Sequence, residues 1–267
     1  MRNLPPPHSG ALAQHKKGAR VVQLTPSIWL VGSGQHGCGL THGTDCHVYL
    51  IDCGDTAVLI DSGVGIEPDR IAAEIRAAGF APEQISHLLL THGHADHSGG
   101  AAYFQRTTGC TIVASPEVAG FLERGDTAAI GLDLAKEAGV YPRDYQWQAC
   151  TPVQSMTDGQ VLHVGPHGFT ALATPGHATG HLCFLLPDPQ GAVLFAGDAI
   201  FHGGAIMLQA IPDCSIWLYR LTIQRLAQLQ VAALLPGHGT PVVRNGQVHI
   251  ARAEQIFRTL LPPPNLT

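Results

Sequence analysis

Charged side chains are scarce in this chain. Asp, Glu, Lys and Arg supply only 13% of 267 residues and their formal balance is -5, which leaves no basic stripe for a nucleic-acid backbone and no polybasic segment for an anionic membrane. Long apolar runs are missing as well. None approaches the roughly 20 residues of a bilayer span, and the opening "MRNLPPPHSGALAQHKKGAR" has no apolar core behind its basic start, so neither a membrane anchor nor a secretion signal is expected. The cysteines, Cys38, Cys46, Cys53, Cys110, Cys150, Cys183 and Cys214, are odd in number and form no CxxC pair, which argues for reduced thiols rather than a disulfide framework. Together these absences predict a cytoplasmic protein with a small-molecule substrate and neither a nucleic-acid nor a membrane partner; self-association stays open.

The 45% hydrophobic content is enough for a large core, and the expected organisation is a flexible Pro-rich leader over residues 1–18 followed by one domain over 19–267. Short β-rich runs come first, at 20–24, 28–31, 46–52 and 56–62, then a helix over 67–80 with Ile71, Ile75 and Ala78 at helical spacing. "HLLL" (87–90) reads as a strand buried on both faces. A helix over Ser98–Arg106, a strand "TIVA" and a helical stretch between about Pro116 and Ala138 follow. Strands return at "QVLHV", "FTALAT", "HLCFLL" and "AVLFAG", then a helix over 213–230, a strand "AALL" and a last helix near 248–260. Two successive β-then-α halves, each with one sheet face covered by helices, predict an α+β fold, a four-layer αββα sandwich. The weakly patterned stretch at about 122–153 reads as an insertion over one edge, either a lid or a surface decoration.

The chemistry is concentrated in "THGHADHSGG" (Thr91–Gly100), which places His92, His94, Asp96 and His97 within six positions. A chain of this composition yields that pattern by chance roughly 0.003 times, so coincidence is a poor account of it. Residues two apart in an extended segment share a face, so His92 and His94 can reach one ion; Asp96 and His97, on a bend, can serve a second. Three further segments each follow an apolar run and offer one ligand: His177 in "ATPGHATGH", Asp198 in "LFAGDAI" and His238 in "ALLPGHGTP". The expected assignment is His92, His94 and His177 for one Zn²⁺, Asp96, His97 and His238 for a second, and Asp198 as a bridge between two ions roughly 3.5 to 4 Å apart; iron or manganese are alternatives. In the mechanism that follows, Asp198 holds the metals around a bridging hydroxide, and Asp96 or a nearby histidine protonates the leaving group.

These segments, "THGHADHSGG", "TPGHATGH", "FAGDAI" and "LPGHG" in this order, resemble the signature of the metallo-β-lactamase superfamily over about residues 20–250. The resemblance implies the same αββα sandwich with a dinuclear site on its edge, and from "LIDSG" it adds Asp61 beside the metal-binding loop. The aspartate of "FAGDAI" is similar to that of the glyoxalase II, lactonase and phosphodiesterase branches, whereas dinuclear β-lactamases generally lack it. The expected activity is hydrolysis of a carboxyl-ester-type bond in a lactone, ester or thioester. Phosphodiester or β-lactam hydrolysis on the same scaffold is the alternative, followed by an iron-dependent dioxygenase or a metal-binding module without turnover.

Other residues carry two readings each. His181, four past His177, and His202, four past Asp198, are either partners that orient a ligand or contact substrate, or histidines packed at strand ends. The loop holding His36, His42 and His47 reads as a plain mobile loop, with a flap over the site as the alternative. Ile206, Met207 and Trp217 read as core, or else as the wall of an apolar pocket.

Overall fold

The computed structural model describes residues 21–266; the leader expected over residues 1–18, and Arg20 of the first strand run, lie outside them. Two sheets are stacked. The first has seven strands in chain order, β1 (Val22–Thr25), β2 (Ile28–Gly32), β3 (Val48–Asp52), β4 (Ala57–Ile60), β5 (Ile85–Leu89), β6 (Thr111–Ala114) and β7 (Val153–Ser155). β1 to β4 form an antiparallel meander, and β4 to β7 run parallel. The second sheet has five strands, β8 (Val161–Val164), β9 (His167–Ala173), β10 (Leu182–Leu186), β11 (Ala192–Gly197) and β12 (Val231–Pro236), antiparallel except for the parallel pair β11–β12.

Alternation along the strands decides the layers. On β2, Ile28 and Leu30 face the second sheet while Trp29 and Val31 face helices; on β10, Leu182, Phe184 and Leu186 face the first sheet while Cys183 faces the other way. The three resulting cores stack in order. Helices α1 (Pro68–Ala77), α3 (Ala101–Thr108), α4 (Pro116–Arg124) and α5 (Leu132–Glu137) cover the outer face of the first sheet, and α6 (Ile216–Leu226) and α7 (Gly246–Arg258) cover that of the second. This is the four-layer αββα arrangement. Among the described residues no helix is long and apolar enough to cross a membrane.

One sequence expectation needs correction, a second is refined, and one strand was not expected. The helix expected over Ser98–Arg106 is two: a single turn, α2 (Ala95–Ser98), and then α3. The stretch from Pro116 to Ala138 is also two helices. α4 starts on Ser115, whose hydroxyl accepts from the Val118 amide at 3.2 Å, and stops where Gly125 takes a φ of 64° that β-carbon-bearing residues resist. β7, three residues on a sheet edge, has too little pattern to be read from sequence.

Candidate metal centre

Every residue of the cluster sits where a strand ends and the chain turns. Asp61 follows β4, His92 to His97 follow β5, His177 follows β9, Asp198 follows β11 and His238 follows β12. Strand ends of this kind are where α/β architectures place ligands. Here the two sheets are also fastened to each other at this edge: the Leu182 amide donates to the Thr91 carbonyl at 2.7 Å, and the His47 amide to the Gly237 carbonyl at 2.6 Å. Gly99 and Gly100 let the turn after His97 lie directly on the loop after β4; a β-carbon there would collide with the carbonyls of Val64 and Ser62.

The structure gathers the seven expected ligands into two overlapping sets. One donor atom each from His92, His94 and His177 lie within 4.8 Å of one another, as do those of Asp96, His97 and His238. Asp198 touches both: its Oδ2 is 3.5 Å from His177 Nε2 and 3.6 Å from His238 Nε2, and its Oδ1 is 3.5 Å from His97 Nε2.

Proton accounting shows which ring nitrogens are free. The Thr91 hydroxyl has one proton and lies 2.8 Å from Asp61 Oδ2, a carboxylate oxygen that can only accept. Its contact with His92 Nδ1, at 3.0 Å, must therefore be donated by the histidine, which leaves His92 Nε2 with a bare lone pair. That atom is buried and has no hydrogen-bond partner among the described residues, and neither has Asp198 Oδ1. Likewise His97 Nδ1 donates to Asp61 Oδ2 at 2.9 Å, and His177 Nδ1 to the Met207 carbonyl at 3.2 Å, so that both rings turn Nε2 inward. His94 turns Nδ1 to His177 Nε2 at 3.0 Å and sets Nε2 3.6 Å from the Asp213 carboxylate. Buried donor atoms turned toward a common point, with the far sides of the His92, His97 and His177 rings tied off, fit divalent metal binding in a mixed imidazole and carboxylate donor set.

Asp61 is held at a φ of 60°, a conformation aspartate tolerates better than most side chains. That geometry lets one carboxylate take the Thr91 amide and hydroxyl and the His97 ring together.

Charge follows the same logic. Burial, with the neighbouring His97, His94 and His177 rings, holds His92 well below the ordinary imidazole value, and burial takes His177 down to about 4. Both are neutral near pH 7, as ligands must be. Burial opposes ionisation of Asp198, but the His238, His97 and His177 rings outweigh it and hold the carboxyl well below its usual range. Asp96 is depressed in the same way, against burial, by His97 and His238.

The remaining residues separate. Both nitrogens of His181 are spent: Nε2 accepts the Asp198 amide at 3.1 Å, so Nδ1 donates to Thr174 Oγ1 at 2.8 Å, while the ring stacks on His92 with centroids 5.0 Å apart. It has no lone pair for a cation and fixes the backbone of Asp198 instead. His202 does not join the cluster; it is exposed and packs on His249 of α7, centroids 4.7 Å apart. The loop carrying His36, His42 and His47 is tied by its own backbone bonds, among them Gly34 to Asp45 at 3.0 Å and Leu40 to Ser33 at 2.7 Å, and His36 reaches the cleft beside the cluster. Ile206 is core, Met207 lines the cleft, and Trp217, 60% exposed, does neither.

Four contributors were not read from the sequence. Thr91 is visible in the motif but has no signature of its own. Asp213 lies beside His94. Tyr219, from α6, donates its hydroxyl toward the Asp198 carbonyl at 2.8 Å or that of Met207 at 3.0 Å. Tyr141 comes from the 122–153 stretch and donates to Asp96 Oδ1 at 3.1 Å. That stretch is anchored across the metal-binding turn by two more aromatic residues: Tyr145 donates to the Val64 carbonyl at 2.7 Å, and Trp147 Nε1 to Ser98 Oγ at 3.0 Å. With the 207–211 loop it walls a cleft of about 500 Å³ whose floor includes His94, Asp96, His177, Asp198 and His238.

Comparison with known proteins agrees with this fold. Residues 43–238 match the family model of the metallo-beta-lactamase superfamily. The chain is 30% identical over 237 residues to lactamase-like protein adaB of Aspergillus niger, covering 88% of this chain and 62% of that protein. It is 30% identical over 212 residues to acyl-coenzyme A thioesterase MBLAC2 of Gallus gallus, covering 73% of each. With the atrochrysone carboxyl ACP thioesterase of Aspergillus fumigatus it shares 30% identity over 227 residues, 84% of this chain and 59% of the relative. The chain thus spans about three fifths of the length of these two fungal relatives. Among solved structures, a B3 metallo-beta-lactamase with an active-site glutamic acid superposes with a TM-score of 0.68 at 25% identity, covering 90% of this chain and 89% of that one. BJP-1, a subclass B3 enzyme of Bradyrhizobium japonicum, does so at 0.67 and 22% identity, covering 92% and 96%.

Proposed function

The chain belongs to the metallo-beta-lactamase superfamily, and from that premise we propose that it is a metal-dependent hydrolase of carboxyl-ester-type bonds, thioesters foremost, working with two zinc ions. The observation that carries this reading is Asp198, in reach of both donor sets and with a buried oxygen that has no hydrogen-bond partner among the described residues. Thioesterases among the relatives support the bond class.

His92, His94 and His177 would hold one ion, Asp96, His97 and His238 the other, with Asp198 between them. Such a pair supplies a nucleophile from water near neutral pH and polarises the scissile carbonyl. The protein's own part is to fix the donors. Asp61 orients His97 directly and His92 through Thr91, His181 and Tyr219 hold the Asp198 main chain, and Tyr141 holds Asp96. With Asp96 held ionised by His97 and His238, the proton returned to the leaving group is proposed to pass through a histidine beside it on the cleft floor. Among the described residues the cleft lining contains no lysine or arginine, which favours an uncharged acyl substrate over a phosphodiester, whose transferring group calls for cationic clamps.

The test is hydrolysis by the zinc-loaded protein, with and without chelator, of an acyl thioester, an aliphatic lactone, an aryl phosphodiester and a β-lactam. Chelator-sensitive turnover of the thioester or lactone is expected. Turnover of the phosphodiester alone would replace this reading, and silence on all four with oxygen uptake by an iron-loaded sample would reject hydrolysis.

A further inference from the structure

The cleft has chemically distinct ends. Its floor carries the candidate metal-binding side chains, and its walls are largely apolar: Leu134 of α5 and Val140 just past its end on one side, Met207 and Ile211 on the other. Leu134 is 47% exposed and Val140 51%. Large aliphatic side chains left open to water beside a polar, preorganised floor are an apolar surface without its partner. Between them the wall is cut back, since the α5 segment presents Ala135 and, three residues on and on the same helical face, Ala138.

We propose that this trough takes the unbranched aliphatic acyl chain of the substrate, with the carbonyl end over the metal centre, and that Ala135 and Ala138 set how long a chain fits. The assignment rests on the hydrolase reading for the carbonyl end, while the trough itself binds the chain whatever reaction takes place. An aliphatic tail matches the walls on both sides and asks for no lysine or arginine, and the cleft lining among the described residues holds neither.

The experiment uses the zinc-loaded protein and acetyl, hexanoyl and decanoyl thioesters of one short uncharged thiol, together with decanamide as a ligand that carries the chain without the thioester. In the wild type, kcat/KM rises about three- to fourfold for each methylene seated in the trough. Ala138→Trp, at an exposed position, lowers the decanoyl-to-acetyl ratio by roughly tenfold or more. Decanamide binds the wild type in calorimetry, and Leu134→Asp abolishes that binding. If decanamide binds and Leu134→Asp removes it while no thioester is cleaved, the acyl trough stands and the thioesterase reading falls. If thioesters are cleaved at rates independent of chain length in wild type and Ala138→Trp alike, the hydrolase reading stands and the trough is overturned. Failure of decanamide to bind, with a flat series, overturns it as well.

Discussion

The hydroxyl of Tyr141 donates to Asp96 Oδ1 at 3.1 Å, while the other oxygen of the same carboxylate lies 3.1 Å from His238 Nε2. A residue just beyond α5, in the stretch that walls the cleft, therefore steadies a side chain of the candidate metal centre. Burial and the Asp96 charge hold the phenol well above its usual range, so it stays a donor across the working pH.

Tyr141→Phe keeps the ring and deletes that donor. A hydrogen bond to a charged group contributes about 1.5 to 3 kcal/mol, so affinity for the second metal should fall by roughly tenfold or more, with the first site little changed. Metal titration read by elemental analysis at graded zinc checks it; equal loss at both sites would mean that the ring's packing, not its hydroxyl, is what counts.

Asp198→Asn removes the charge shared by the two donor sets. The expected result is roughly one metal per chain and turnover reduced by about a hundredfold or more. Near wild-type rates in this variant would sink the two-metal mechanism.

For His181→Ala the reasoning is different, because the ring holds the Asp198 amide rather than a cation. Zinc content at saturating metal should be retained, while affinity drops about 10- to 100-fold, as for other residues that orient ligands. A chelator competition curve gives the number, and loss of one full equivalent even at saturation would make His181 a ligand.

Proton competition sets the pH dependence. Burial opposes the charged form of His97, but the carboxylates of Asp198, Asp96 and Asp61 together outweigh it and raise its pKa well above the ordinary value; His238 is raised in the same sense, against burial, by Asp198 and Asp96. In the metal-free cluster both rings hold protons that a cation must displace. Metal binding therefore releases protons, and affinity rises with pH, by about tenfold per pH unit for each proton displaced. The same shifts stabilise the metal-free fold at low pH, and that contribution is lost as pH rises through the raised values. Zinc affinity measured between about pH 5.5 and about pH 8 should show the first trend; an affinity flat across that range would contradict it.

How much of this was legible beforehand depends on distance along the chain. The HxHxDH turn could be read because its four donors lie within six positions, and His177, Asp198 and His238 because each follows an apolar run with a glycine beside it. The layering could be read from two successive β-then-α halves, each needing one sheet face covered by helices. His181 and His202 show the limit. Both stand four residues past an expected ligand, yet one ends with both nitrogens bound beneath Asp198 and the other on the surface against α7. Spacing gives the periodicity of a local segment, whereas which ring nitrogen is spent depends on Thr174 and the Asp198 amide, brought there by pairing between β9, β10 and β11.

By itself, then, the sequence determined the inventory: the residue types that can bind metal, the order in which they come, and the two-sheet fold whose strand ends carry them, since all of these follow from local composition and period. Tertiary structure alone decided the free lone pair of His92, the grip of Asp61 on two histidines, the contact between Tyr141 and Asp96, and the placing of the α5 segment over the cleft. Each of these joins residues 30 or more positions apart, at His97 and Asp61, Thr91 and Asp61, or Tyr141 and Asp96. Contacts at that range are set by how the sheets and helices pack, and local patterning carries no trace of them.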